Sequence, residues 1–140
     1  MIRAVICDDE DAALKIITYS IENQGIPIEI VGTASDGKEA LALIKKENPN
    51  LVFLDIEMPG MNGFDVVEKL NAVNCKVIII TAYSTFSYAQ RALRLGVSDI
   101  IEKPIDTDTL KEAIQRAIGW EFTGNEALNK ALFYIHTHYW

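Results

Sequence analysis

Four short stretches of this chain end in groups that could do chemistry together. Asp8 and Asp9 stand side by side after the apolar run 4–7, with Glu10 next. Asp55 closes the run 51–54 within "LVFLDIEMPGMNG". Thr81 and Ala82 follow the run 77–80, and Lys103 with Pro104 follows the run 97–101. Brought to one place, they make a cluster of carboxylates, one hydroxyl and one ammonium. Crowded carboxylates raise one another's pKa unless a cation neutralises them. Mg2+ suits such a cluster, because it takes one or two carboxylates, keeps several waters and favours phosphate oxygens as its remaining ligands. Asp8, Asp9 and Asp55 fit that role, with backbone carbonyls on offer in the turn after Asp55. A carboxylate held there can also act as a nucleophile and form an aspartyl phosphate. Phosphoryl transfer asks mainly for positioning and for neutralisation of charge on the moving oxygens. Lys103 supplies a compact positive charge, Thr81 a hydroxyl donor, and the small Ala82 leaves room for the group.

Taken singly, each residue has a plainer explanation. Asp8 or Asp9 alone would be a helix cap, Thr81 alone a turn residue, Lys103 alone a solvated lysine, and Asp55 alone turn punctuation. Their joint placement decides for chemistry, and that placement depends on the elements that hold them. The apolar runs 4–7, 28–32, 51–54, 77–80 and 97–101 are rich in Val and Ile, and the central ones barely alternate, as strands buried on both faces do. Helix-length segments separate them. In the last, Leu110, Ala113, Ile114, Ala117 and Ile118 recur at helical spacing. Asp36 with Glu39, and Thr109 with Glu112, have capping-box spacing, and Pro49 in "ENPN" marks a stop. Five β-α repeats predict an α/β fold with a five-stranded parallel sheet, doubly wound, with helices on both faces. In such sheets the functional crevice lies beyond the carboxyl ends of the strands, at the switch point. Every residue singled out above falls there.

The chain of 140 residues carries a formal net charge of −7, which disfavours nucleic acid or an anionic membrane as the partner of these residues by themselves. "MIRAVICDDE" turns acidic too soon for a signal peptide, and no apolar run reaches the length of a membrane span, so the expectation is a cytoplasmic protein. Cys7 and Cys75 lie in or beside apolar runs and read as two reduced core thiols, with no zinc-site spacing. The domain should span 1–118. Residues 119–124 read as a linker, and 125–140 as a further helix with an apolar stripe of Leu128, Leu132, Ile135 and Tyr139.

Over residues 1 to about 118 the chain resembles the response-regulator receiver domain of two-component signalling. The resemblance rests on "CDDE", "LDIEMPGMNG", "TAY" and "EKPID", four motifs in order after strands one, three, four and five. It implies a flavodoxin-like (βα)5 fold of strand order 2-1-3-4-5 and a phosphoacceptor at Asp55. It implies Mg2+ on Asp8, Asp9, Asp55 and the main-chain carbonyl of Glu57, and a phosphoryl group contacted by Thr81 and Lys103. The Lys103–Pro104 bond is similar to one that is cis in the family. The partner so implied is a sensor histidine kinase, and the expected output is a homodimer on activation. As an enzyme the domain would do no more than phosphorylate itself from small donors and dephosphorylate itself, with Glu57 and Met58 shaping the lifetime of the phosphoryl group. The family's switch usually includes Tyr or Phe three residues before the lysine, and here that position is Ile100. The switch set is then Thr81, Ala82 and Ile100, with either a repacked Ile100 or Thr81 and its following loop carrying the signal. Tyr83, Phe86 and Tyr88 lie close by in sequence. The stretch 81–106 looks like receivers joined to AraC-type DNA-binding domains, and "ALFYIHTHYW" resembles the first helix of that domain, so DNA would be bound only through a domain beyond this chain.

Three other readings are weighed against this one. A phosphatase of the haloacid-dehalogenase kind wants Asp-x-Asp after its first strand, whereas Asp-Ile-Glu follows the third here. A flavin-binding flavodoxin wants a hydroxyl- and glycine-rich phosphate loop, which "CDDE" is not. A pseudo-receiver that binds partners without phosphorylation would not need the full set of acids, threonine and lysine.

Overall fold

The computed structural model describes residues 2–70, 75–83 and 85–119. Five strands alternate with five helices: β1 (Ile2–Cys7), α1 (Asp11–Asn23), β2 (Ile28–Ala34), α2 (Gly37–Glu47), β3 (Leu51–Asp55), α3 (Gly63–Lys69), β4 (Lys76–Thr81), α4 (Phe86–Leu95), β5 (Asp99–Glu102) and α5 (Thr107–Ile118). All strand pairs are parallel and the order is β2-β1-β3-β4-β5, the expected doubly wound, flavodoxin-like sheet. The expected linker from residue 120 onward and the helix at 125–140 lie outside the described residues. Among the described residues no helix is long and apolar enough to cross a membrane.

The two faces of the sheet follow from strand pleating. Successive side chains point to opposite sides, so Ala4 and Ile6 join Leu51, Phe53, Ile78 and Ile80 in one core with Ile17 of α1 and Leu110 and Ile114 of α5. Val5 and Cys7 join Val52, Leu54 and Ile79 in the other, with Ala40 and Ile44 of α2, Phe64 of α3 and Ala92 of α4. The central strand β3 is therefore buried at all five positions, while the edge strand β2 mixes buried and exposed residues. The chain steps one way from β1 to β2 and the other way from there on. With right-handed crossovers, that reversal puts α1 on one face and α2 to α4 on the other. It also makes the gap between the carboxyl ends of β1 and β3 the switch point.

Helix starts are fixed by side chains. Asp36 accepts a hydrogen bond from the Glu39 N–H at 2.7 Å, and Glu39 Oε1 reaches back to the Ser35 N–H at 2.7 Å, close to the expected capping box. The Thr109–Glu112 box is not used. Asp106, three residues earlier, caps α5 by accepting from both the N–H and the hydroxyl of Thr109 at 2.9 Å, so the helix begins a turn before that spacing suggested.

Candidate functional site

Each acidic residue is delivered to the switch point by a buried strand. Asp8 follows directly on β1 and Asp55 ends β3. Their relative exposures are only 2% and 3%, which marks them as positioned rather than solvated. Asp9, next to Asp8, is exposed. Carboxylate oxygens from Asp8, Asp9 and Asp55 all lie within 4.8 Å of one another. Two backbone devices aim them. The Asp8 N–H donates to the Ala34 carbonyl at 2.9 Å, tying it to β2, and Asp8 Oδ1 accepts from the Glu10 N–H at 2.9 Å. Asp55 Oδ1 accepts from the Glu57 N–H at 3.3 Å. The turn that follows closes on Ile56, whose carbonyl accepts from Met58 at 3.1 Å and Gly63 at 3.0 Å.

Lys103 approaches from the loop after β5, placed by its own N–H on the Thr81 carbonyl at 2.8 Å. The Lys103–Pro104 bond is cis, as the motif implied. Its Nζ lies 3.1 Å from Asp8 Oδ2, 3.5 Å from Asp55 Oδ2 and 2.5 Å from Glu10 Oε1. Burial pulls the Lys103 pKa down, but hydrogen bonds to Glu10 and Asp8 and the charges of Asp55 and Asp8 outweigh it, and the group is held well above its ordinary value. Burial pushes the Asp55 carboxyl from 3.8 up to about 7, with the Asp8 charge adding to it and Lys103 and the Glu57 N–H opposing it. Thr81, fully buried at the end of β4, donates its hydroxyl to Glu57 Oε1 at 2.9 Å or to the Tyr83 carbonyl at 3.1 Å, and accepts from the Tyr83 N–H at 3.0 Å. Ala82 beside it is exposed.

The donor set suits a hard divalent cation. The oxygens are carboxylate oxygens at close quarters, and Asp8 Oδ2 is buried without a hydrogen bond, because the Lys103 ammonium approaches it off the hydrogen-bonding direction. Three carboxylates at close quarters facing a single ammonium are an arrangement Mg2+ relieves. The hydrogen-bond contacts of Glu57 are made by its N–H and its carboxylate.

The structure thus assembles Asp8, Asp9, Asp55, Thr81 and Lys103 at one edge. Residues 4–115 match the response regulator receiver domain family. The chain is a response regulator receiver domain. The receiver is 35% identical over 118 residues to the transcriptional regulatory protein HptR of Staphylococcus aureus, covering 84% of this chain and 47% of that protein. It therefore spans about half the length of the curated relatives it matches. Among solved structures it resembles the receiver domain of AraT, a response regulator from Geobacillus stearothermophilus (TM-score 0.76, 35% identity, 86% of this chain and 95% of that one). It also resembles the CheX-CheY-BeF3-Mg complex of Borrelia burgdorferi (0.75, 29%, 81% and 87%) and a LuxR-family DNA-binding response regulator of Staphylococcus aureus (0.74, 30%, 84% and 98%).

Three features of the receiver's site are not in the sequence reading. Glu57 bonds Thr81 through its side chain, Glu10 bonds Lys103, and Ile100 lies half-buried against the core that α2, α3 and α4 cover, where Tyr88 of α4 also packs. Acidic residues two positions after each buried carboxylate, Glu10 after Asp8 and Glu57 after Asp55, were the available signal.

Proposed function

We propose that this receiver accepts a phosphoryl group on Asp55 from a phosphohistidine of a sensor kinase. The observation that carries the reading is the convergence of three carboxylates within 4.8 Å with Lys103 bridging the two buried ones. An Asp55 oxygen attacks phosphorus, the P–N bond to the histidine breaks, and its electron pair leaves on the imidazole, which ends protonated. Asp8, Asp9, Asp55 and the Glu57 carbonyl would hold Mg2+, which supplies charge neutralisation for the carboxylates and phosphoryl oxygens. Lys103 supports a second phosphoryl oxygen, and the Thr81 hydroxyl turns to a third. Ala82, exposed at the rim, leaves the approach open. The complete set of three acids, threonine and lysine favours this chemistry over a pseudo-receiver, since buried charges such as Asp8 and Asp55 are costly to keep for packing alone even when paired.

The output belongs to a longer, cytoplasmic protein. The HptR relative is named a transcriptional regulator, and the tail at 125–140 resembles the opening of an AraC-type domain. The reading is a receiver whose phosphorylation promotes a homodimer and so presents two DNA-binding domains. The LuxR-family neighbour sets the alternative output class, and the residues that follow Trp140 discriminate the two.

Incubation with an acyl phosphate and Mg2+ should add the mass of one phosphoryl group, and Asp55→Asn should abolish the addition. Labelling that survives in Asp55→Asn would sink the assignment.

A further inference from the structure

Glu10 is an unusual residue to open a helix. It is the N-cap of α1, a place that favours Ser, Thr, Asp or Asn, and its side chain makes no capping hydrogen bond. Its backbone is fixed all the same. The Glu10 N–H donates to Asp8 Oδ1 at 2.9 Å, and the Glu10 carbonyl accepts from the N–H of Ala13 at 3.1 Å and of Leu14 at 3.3 Å. The carboxylate thus starts from a set place and is left for another partner. That partner is Lys103, whose Nζ lies 2.5 Å from Glu10 Oε1.

Lys103 leans toward this contact. Asp8 Oδ2 is farther away at 3.1 Å and Asp55 Oδ2 farther again at 3.5 Å. The hydrogen bonds of the ammonium go to Glu10 Oε1 at 2.5 Å and Asp8 Oδ1 at 3.4 Å, and among the described residues none goes to Asp55. A phosphoryl oxygen on Asp55 therefore competes for a donor that is already engaged. The two present holders are not equivalent. The Asp8 side chain is 2% exposed, so separating it from its cation strands a buried charge at high cost. The Glu10 side chain is 59% exposed, so water takes up its charge when the pair parts. There is room for the parting, because Glu10 and Lys103 line a cavity of about 560 Å³ together with Ala12, Ile16, Ala82 and Ile105.

Resting on Asp55 as the acceptor, we propose that Glu10 is a positioning residue that gates the site through Lys103. At rest its carboxylate draws the ammonium to the rim, and an incoming phosphoryl oxygen must displace it. Once that oxygen is in place, Lys103 pairs with it and Glu10 is released to solvent. The exchange makes and breaks no covalent bond. The gate acts on any anion that arrives, so it sets how readily a small free donor reaches Asp55. Its effect differs from that of negative charge in general. Asp11, the next residue, is an exposed acid too, but among the described residues it is not an ion-pair partner of Lys103.

The test titrates the 140-residue chain with beryllofluoride in the presence of Mg2+. The fluorine resonance of the bound anion gives its affinity. The carbon-13 resonance of the Lys103 ε-methylene, assigned by its loss in Lys103→Ala, reports the surroundings of the ammonium. Glu10→Gln keeps the size of the side chain and removes its charge. It should bind the anion about 2- to 5-fold more tightly, the scale of an exposed ion pair, while Asp11→Asn should gain much less. Without anion, the Lys103 resonance should differ between the native chain and Glu10→Gln, and at saturation the two should coincide. An unchanged or weaker affinity in Glu10→Gln, an equal gain in Asp11→Asn, or a Lys103 difference that persists at saturation overturns the gate and leaves the acceptor reading intact. A native chain that binds no anion overturns the acceptor reading and the gate with it.

Discussion

Lys103 Nζ stands 3.1 Å from the buried Oδ2 of Asp8, a contact across 95 residues of sequence that ties the loop after β5 to the end of β1. The same ammonium lies 3.5 Å from Asp55 Oδ2, so one cation faces both buried carboxylates. Together with the Glu57 N–H, it lowers the Asp55 pKa against burial and against Asp8.

Lys103→Ala should therefore raise the Asp55 pKa further and slow its labelling by an acyl phosphate. The expected loss is on the order of 100-fold, the scale on which one preorganised donor to developing charge acts. Lys103→Arg should not restore the rate, because a planar fork does not replace a compact point charge. Initial rates from intact-mass time courses check both. A Lys103→Ala chain labelled at the native rate would remove the residue from the chemistry.

Asp55 also makes a pH prediction for the metal-free protein. Its pKa is raised from 3.8 to about 7 in the fold, by burial first and by Asp8 second. A raised acid binds its proton more tightly when folded. Its stabilising contribution is present in full below about pH 4 and is lost as pH rises toward about 7. Urea melts in EDTA should show this loss as a difference between the native chain and Asp55→Asn, which does not titrate. Mg2+ prefers the ionised set and should reverse the trend, contributing about 2.7 kcal/mol at a hundred times its Kd. Its effect should grow from pH 5 to pH 8 and shrink in Asp8→Asn and Asp9→Asn.

The strands were legible because burial on both faces leaves a continuous apolar run, and the parallel α/β order then fixes which ends meet. Asp8, Asp55, Thr81 and Lys103 could be placed together on that ground alone. The edges were less legible. β2 runs on to Ala34 beyond its apolar stretch, and β5 begins only at Asp99, because Val97 is held in the turn after α4 by its N–H on the Ala92 carbonyl at 3.2 Å. For the Thr81–Glu57 and Lys103–Glu10 bonds the sequence shows only acidic residues two places after Asp55 and Asp8, and not their partners. They depend on which way flexible side chains lean over neighbouring strand ends, and no spacing rule encodes that. The Thr109–Glu112 spacing misled because Asp106 offers the same cap three residues earlier.

Two glycines in the turn after Asp55 serve different ends. A Cβ at Gly63 would stand 2.5 Å from the Asp55 carbonyl oxygen and 2.9 Å from Ile56 Cα, both backbone atoms that cannot yield without moving Asp55. Gly60 has open space but a φ of +76°, which costs an L-residue strain alone. Gly63→Ala should destabilise by about 1–3 kcal/mol, as overpacking does, and should slow labelling of Asp55. Gly60→Ala should cost about 1 kcal/mol and leave labelling near native once folded. Paired urea melts and labelling rates distinguish them. Equal effects on labelling would mean that Gly63 is not shaping the acceptor.

The two thiols offer a readout of opening. Cys7 is fully buried on β1, and burial, then the charges of Asp8 and Glu39, push its pKa up to about 12. Cys75 is half-buried just before β4, its pKa also raised by burial. The thiolate is the reactive form, so iodoacetamide at pH 8 should label Cys75 by local exposure and Cys7 only when β1 opens with the rest of the sheet. On the proposed function Mg2+ binds the fold and not the unfolded chain, so at a hundred times its Kd it should slow Cys7 labelling by about 100-fold. Cys75 labelling should change little. Residue-resolved mass spectrometry follows both in one sample. If Mg2+ left the Cys7 rate unchanged while Asp8 and Asp55 remained intact, the acidic cluster beside it would not be the metal's site.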